Sequence, residues 1–389
     1  MANRVTRRQF MTRTGLALGG VALGPQLLAA CGGDDSAGSG NGDGGGGGDQ
    51  IWFENWPEYI DAPDDDLYGA GGTLATFQDE TGRTIRYTQA FNDNNEYFAK
   101  IQPLLSNGDP IGPNIIAPTN WMAGRLIQLG WVEKLPLDDI PNSSNLAEQF
   151  RNPPTDPTGE YSLPWQAGIA GVAFNLEATG RPLTSVQDMW APDLAGKVAV
   201  LTEMRDTIGL IAMSEGIDIT DPTVESLQPA FDTLQEQVDS GQIRQFTGNE
   251  YVGPLEDGSL AACFAWSGDV LAMGNPNVQF VVPDSGGTLW FDTMVIPKGA
   301  SNVDAVAEWM NFVYDPVNAA RITEYVQFIS PVDGVQDELR SMGGEAAELA
   351  DNPLLFPDEA TLERLQVFGL LSDDVEQSFD EQFAQISGA

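Results

Sequence analysis

Aromatic residues stand beside carboxylates repeatedly along this chain. Asn55-Trp56-Pro57-Glu58-Tyr59, Trp266-Ser267-Gly268-Asp269 and Trp290-Phe291-Asp292 each join an indole to an acid. Thr119-Asn120-Trp121 supplies another indole, and Glu203-Met204-Arg205-Asp206 supplies two acids three residues apart. A tryptophan face attracts ammonium through its ring quadrupole and packs the flanking methylenes. A carboxylate pairs with the ammonium by charge-assisted hydrogen bonds. The combination suits an organic cation. One tryptophan alone is ordinarily packing, and one acid alone in so acidic a chain is ordinarily solvated. The weight therefore lies in the recurrence.

Composition removes most other chemistry. The 389 residues include no histidine, which excludes Ser-His-Asp and Cys-His catalysis and His-ligated metals. There is no phosphate-cradling loop of the Walker type. No cofactor, no metal and no enzymatic activity are expected. Lys and Arg number 18 against 57 Asp and Glu, a net charge of −39. Phosphate binding needs a basic surface, so nucleic acid is not an expected partner. Cations are attracted at long range, although most of the acids belong to a solvated surface. A secreted carboxylate-pair hydrolase, such as a glycosidase, is the rival from another class. Its acids usually come from separate strands, whereas Glu203 and Asp206 are three residues apart. A passive acidic surface protein is a third reading, which the aromatic–acid clustering disfavours.

The elements that must hold these residues alternate. Strands are expected at Ile51–Phe53, Thr84–Thr88, Ile115–Ala117, Gly171–Phe174, Val198–Leu201, Leu260–Ala265, Val278–Val282 and Leu289–Ile296. Helices are expected at Thr73–Glu80, Asn95–Leu105, Val303–Val313, Pro316–Val326, Glu359–Leu365 and Asp374–Ile386. A further helix opens at Asp221-Pro222, with Asp221 as cap, and carries the stripe Val224, Leu227, Phe231, Leu234, Val238, with a kink at Pro229. Alternation of this kind argues for α/β layers. Ligands in open α/β sheets gather beyond the carboxyl ends of strands, where several of the aromatic–acid segments fall.

The first 31 residues read as an address. Thr6-Arg7-Arg8-Gln9-Phe10-Met11 is a twin-arginine export signal, Gly15–Ala30 is modestly apolar, and Leu28-Ala29-Ala30-Cys31 closes it as a lipobox. Cleavage there makes Cys31 a lipidated first residue, outside the cytoplasmic membrane and held to it by the lipid alone. The removed segment carries four arginines and no acid, which leaves 14 basic residues against 57 acids, or −43. Residues 32–50, rich in Gly, Ser, Asn and Asp, form a flexible linker. Cys263, in the apolar run Leu260–Trp266, reads as a buried structural thiol.

Taken in order, these segments resemble the spermidine/putrescine-binding proteins of ABC importers. The likeness runs from about Ile51 to the C-terminus. It includes Asn55–Tyr59, Asp79-Glu80-Thr81-Gly82, Tyr161-Ser162-Leu163-Pro164-Trp165, the pair Glu203/Asp206, Phe264–Asp269, and Gly287–Asp292 followed by Ile296-Pro297. The resemblance implies the two-lobed α/β fold of periplasmic binding proteins, with a cleft between lobes. Residues 51–168 and 293–336 would form lobe 1, and 169–292 with 337–389 lobe 2. It also implies roles. Trp56, Trp266 and Trp290 would flank an aliphatic chain, with Tyr59 and Phe328 as further walls. Glu203, Asp206, Asp269, Asp292 and Glu58 would hold ammonium groups. Asp269 is the acid found in members that take short diamines. Asn120 stands where an aromatic hydroxyl is expected, beside Trp121, and Phe328 lacks the hydroxyl of its usual tyrosine counterpart. An amide donor is expected near Gln366. On this reading the chain captures a polyamine and hands it to membrane permease subunits. A betaine-like cation is the alternative within the class.

The lipobox gives the first test. Cys31→Ser should leave the precursor unprocessed or release the protein from membranes. Detergent phase partitioning and labelling with a fatty acid check this, and a processed, membrane-retained variant would refute it.

Overall fold

The structure is a computed structural model that describes residues 50–388. The export segment, Cys31 and the linker up to residue 49 lie outside the described residues.

Three parallel strands found each lobe. In the first, β1 (Gln50–Asn55) lies between β2 (Thr84–Gln89) and β3 (Ile115–Ile116). Two long antiparallel strands, β4 (Ser162–Asn175) and β9 (Gly287–Val295), run side by side and link the lobes. In the second lobe, β5 (Val198–Leu201) lies between β6 (Ile243–Thr247) and β7 (Ala262–Trp266). The far end of β9 meets β3 at Val295–Ile116, and the far half of β4 pairs with β7. One sheet thus runs β2-β1-β3-β9-β4-β7-β5-β6 through the molecule. Two short strands complete it: β8 (Val278–Val281) on β4 and β10 (Leu365–Gln366) on β9. Parallel strands are covered on both faces and read as continuous apolar runs. Val198-Ala199-Val200-Leu201 is such a run, buried at every position. All fourteen residues of β4 are buried as well.

Each lobe packs its own interior. Phe53, Phe77, Trp165 and Trp309 cluster in the first core, edge-on at 5.4 Å for Phe53–Trp165 and 5.1 Å for Phe77–Trp309 and stacked at 6.4 Å for Trp165–Trp309. Phe91, Tyr97, Phe98 and Trp121 fill a second cluster in the same lobe. The other lobe gathers Phe174, Ile208, Phe231, Phe264, Phe379 and Phe383.

The structure moves three boundaries. The long helix starts at Val224, because Thr223 and Ser226 form a reciprocal capping box; Asp221-Pro222 lies upstream of it. The helix at Glu359 ends at Leu362, since Leu365 and Gln366 take up ladder positions against Gly287 and Thr288. Residues 337–350, expected in the second lobe, pack through Leu339, Ala346 and Ala350 into the first core.

Trp309 is fully buried and touches Phe53, Phe77, Trp165 and Phe312. Trp309→Ala should destabilise the first lobe by ~3–5 kcal/mol through lost burial and a residual cavity. Urea denaturation followed by circular dichroism measures it, and a loss below ~1 kcal/mol would mean the core closes over the gap.

Candidate functional site

Strand β9 lays out the site. Its side chains alternate, so Thr288, Trp290 and Asp292 share one face while Phe291 turns away to pack on Phe150 at 5.7 Å. Four residues of strand carry these groups over ~13 Å.

At one end Asp292 is only 5% exposed. Tyr59 Oη donates to its Oδ2 at 2.7 Å, and Thr119 Oγ1 donates to its Oδ1 at 2.7 Å. Asn94 Nδ2 donates to the Thr119 hydroxyl at 2.9 Å and fixes it. The turn after β1 delivers Tyr59, with Glu58 in the left-handed region at φ 54°. At the other end Asp206 lies in the first turn of α1 (Met204–Ser214), which Glu203 caps just past β5. Asp206 accepts from Trp266 Nε1–H at 2.8 Å and from Thr288 Oγ1 at 2.6 Å. All four donors to the two carboxylates are neutral.

Aromatic rings line the space between. Trp290 and Phe328 meet at 5.4 Å and Tyr59 and Phe328 at 5.9 Å, both edge-on. Two glycines make room for them. A Cβ on Gly168, the β4 residue opposite Trp290, would lie 2.3 Å from that indole, and one on Gly268 would lie 2.3 Å from Phe328. Trp56 rests on Phe91 at 5.1 Å, with its Nε1–H donating to the Ala117 carbonyl at 2.9 Å.

Burial pushes the Asp292 carboxyl up to about 7, although the Thr119 and Tyr59 hydroxyls pull the other way. Burial raises Asp206 too, against donation from Thr288 and Trp266 and the nearby Arg205 charge. Glu203 is driven to about 7 by burial and by the neighbouring Asp206, with Arg205 opposing. The buried polar atoms without a partner among the described residues include Trp290 Nε1 and Gln366 Oε1 at this site. Gln366 stands opposite Thr288 in the β10–β9 register. Such an orphan costs ~1–3 kcal/mol until something meets it.

The remaining candidates sit around this centre. Glu58 is half-buried and accepts from Tyr325 Oη at 3.0 Å. Asp269, 1% exposed, accepts on Oδ2 from Asn249 Nδ2 at 2.7 Å and Tyr251 Oη at 2.8 Å. Tyr251 Oη in turn accepts the Trp266 backbone N–H at 3.1 Å, so this cluster braces the Trp266 backbone. Asn120 and Trp121 are buried at the start of the helix Asn120–Gln128, and the Arg205 guanidinium lies 3.5 Å over the Trp121 ring. Sequence reasoning passed over Thr119, Thr288 and Arg205. Strand alternation was a usable signal for Thr288, two residues before Trp290.

With this geometry in hand, the chain can be set beside known proteins. A family model described as bacterial extracellular solute-binding protein matches residues 73–357. The spermidine/putrescine-binding periplasmic protein of Escherichia coli K12 is 24% identical over 353 residues, 89% of this chain and 90% of that one. A putrescine/cadaverine-binding protein of Pseudomonas aeruginosa is 23% identical, over 87% of this chain and 93% of its own length. Among solved structures, the spermidine/putrescine ABC transporter substrate-binding protein PotD of Streptococcus pneumoniae superimposes with a TM-score of 0.73 at 23% identity, covering 87% of this chain and 99% of that chain. This likeness establishes the two-lobed fold.

The raised carboxyls carry a stability signature. Asp292 lifts from an ordinary 3.8 to about 7 in the folded chain, so between those values the native state holds a proton that the unfolded chain has released. Its stabilising contribution is complete below about pH 4 and is lost as pH rises to about 7, on the order of 4 kcal/mol. In urea titrations over that interval, Asp292→Asn should lose less stability than the parent. Parallel curves would show that Asp292 titrates normally.

Proposed function

We propose that this chain, which belongs to the bacterial extracellular solute-binding proteins, captures a linear polyamine of the putrescine–spermidine class and delivers it to the permease of an ABC importer. One observation carries the reading. Asp206 and Asp292 are buried at the two ends of the Thr288–Trp290–Asp292 face, hydrogen-bonded only by neutral donors, with indole between them. A buried carboxylate without a counter-charge is costly, and an ammonium at each end relieves it. The methylenes between two ammonium groups then lie against Trp290, Trp266 and Trp56. A quaternary ammonium has no N–H to give these carboxylates. The relatives in Escherichia coli and Pseudomonas aeruginosa, named for binding spermidine/putrescine and putrescine/cadaverine, support the same ligand class.

Within this reading the site consists of Trp56, Tyr59, Asp206, Trp266, Trp290, Asp292 and Phe328. Glu58, Asn120, Trp121, Glu203 and Asp269 form its surround. No step is chemical: the protein binds, excludes water and releases. Lobe closure removes solvent and strengthens each charge pair. The twin-arginine segment, the lipobox at Cys31 and the linker support a lipid-anchored place on the outer face of the cytoplasmic membrane.

Calorimetry on the detergent-solubilised full chain provides the test. Asp292→Asn should weaken putrescine binding by ~2–5 kcal/mol, because one ammonium is left unpaired in a desolvated cleft. Trp266→Ala should cost ~3 kcal/mol in lost cation–π contact and buried area. Neutralising the exposed Asp65 as Asp65→Asn should change nothing measurable. Parent affinity should rise with pH up to about 7, as Asp292 gives up its proton. A parent that binds no polyamine at millimolar concentration would overturn the reading.

A further inference from the structure

We propose that Arg205 is a cation built into the cleft wall, occupying the seat of a third ligand ammonium and thereby limiting the cargo to two charged amines. The proposal rests on the polyamine reading above. Arg205 is 6% exposed and stands between Glu203 and Asp206 at the start of α1. Its guanidinium does what a ligand cation does elsewhere in the cleft. It covers an aromatic face, 3.5 Å from the Trp121 ring. It also satisfies carboxylates: Nη2 donates to Glu376 Oε1 at 3.0 Å and Nη1 lies 4.0 Å from Glu203 Oε1. The Arg205 backbone N–H donates to the same Glu203 oxygen at 3.2 Å.

The acids around the cleft therefore divide into two pairs. Asp206 and Asp292 have neutral donors only, whereas Glu203 and Glu376 share a resident guanidinium. Arg125 of the first lobe adds a second charge 3.7 Å from Glu376. An arginine stays charged at any working pH, so its seat is never vacant. A ligand reaching past Asp206 toward Glu203 meets an occupied acid, an occupied indole and a like charge. A diamine spanning Asp206 and Asp292 meets two acids whose hydrogen-bond donors are all neutral, and it feels the Arg205 charge at one end only.

The experiment compares two-ammonium ligands, putrescine and cadaverine, with spermidine and spermine by calorimetry at one ionic strength. The full chain is used as the parent, as Arg205→Gln, and as the double variant Arg205→Gln/Glu376→Gln. The double variant removes both charges of the buried pair and serves where the single change fails to fold. The parent should bind the diamines about tenfold or more tightly than spermidine, the scale of a like-charge contact. In the variants the ratio of spermidine to putrescine affinity should rise by about tenfold or more. A parent that binds spermidine as well as putrescine, or variants in which all ligands weaken by one common factor, would overturn the proposal and leave Arg205 as a contact between lobes. A parent that binds none of the four overturns the polyamine reading itself, and the proposal with it.

Discussion

Asp292 and Asp206 lie buried with hydroxyl and indole donors around them, and this shortage of positive charge governs the rest of the site. Transfer of a carboxylate from water into a protein interior is unfavourable unless a counter-charge meets it. Burial lifts both groups above their ordinary range, so each holds its proton to higher pH than a solvated carboxyl does. In the proposed reading, a cation that brings its own charge takes the place of that proton. The hydroxyls of Tyr59, Thr119 and Thr288 keep the carboxylate oxygens oriented through the exchange. Preorganisation of this kind lowers the ordering cost of binding, because the acceptors need no rearrangement.

The geometry that holds the two acids apart is set by β9. Its partner β4 is buried along its whole length, so the pair is a stiff rod through both lobes. Thr288 and Asp292 are fixed on that rod by strand alternation. The groups that complete each end arrive from different lobes. Tyr59 and Thr119 follow strands of the first, while Asp206 and Trp266 follow strands of the second. Each end is therefore built by one lobe on the shared strand, and β9 fixes the distance between the two. Gly168 and Gly268 belong to the same design, since any side chain there would occupy the space of Trp290 or Phe328.

Much of this was legible in the chain itself. Tryptophan is scarce and acids beside it are scarcer, so Trp56, Trp266, Trp290 and Asp292 stood out; the strand ends next to Trp56 and Trp266 gave those two direction, while Trp290 and Asp292 lie within β9. The threonines did not stand out, because β-branched residues belong in strands for reasons of packing alone. Thr288 could have been found by counting two back from Trp290. Glu376 could not: its partner Arg205 lies 171 residues away, and only the fold brings the C-terminal helix there. The helix start at Thr223 was missed because Asp221-Pro222 imitates a cap, while the Thr223–Ser226 reciprocal pair provides the stronger one. The strand at Leu365–Gln366 exists only because β9 offers an edge, which is tertiary context overriding a local helical pattern.

The large acidic excess has a different role from the buried acids. Exposed charges farther apart than roughly 10 Å are screened at ordinary ionic strength, so most of the 57 carboxylates act on a ligand only as a diffuse field. That field gathers every cation, inorganic ions included, and cannot choose among them. Choice has to come from groups that water and salt do not reach. In the proposed reading, Asp206 and Asp292 supply it by their burial and separation, and the indoles supply it by demanding an apolar chain between two charges. A metal ion satisfies the charge without the chain, and an apolar amine satisfies the chain with one end left bare. In the proposed reading, a molecule charged at both ends and greasy between them meets both acids and packs on the indole faces.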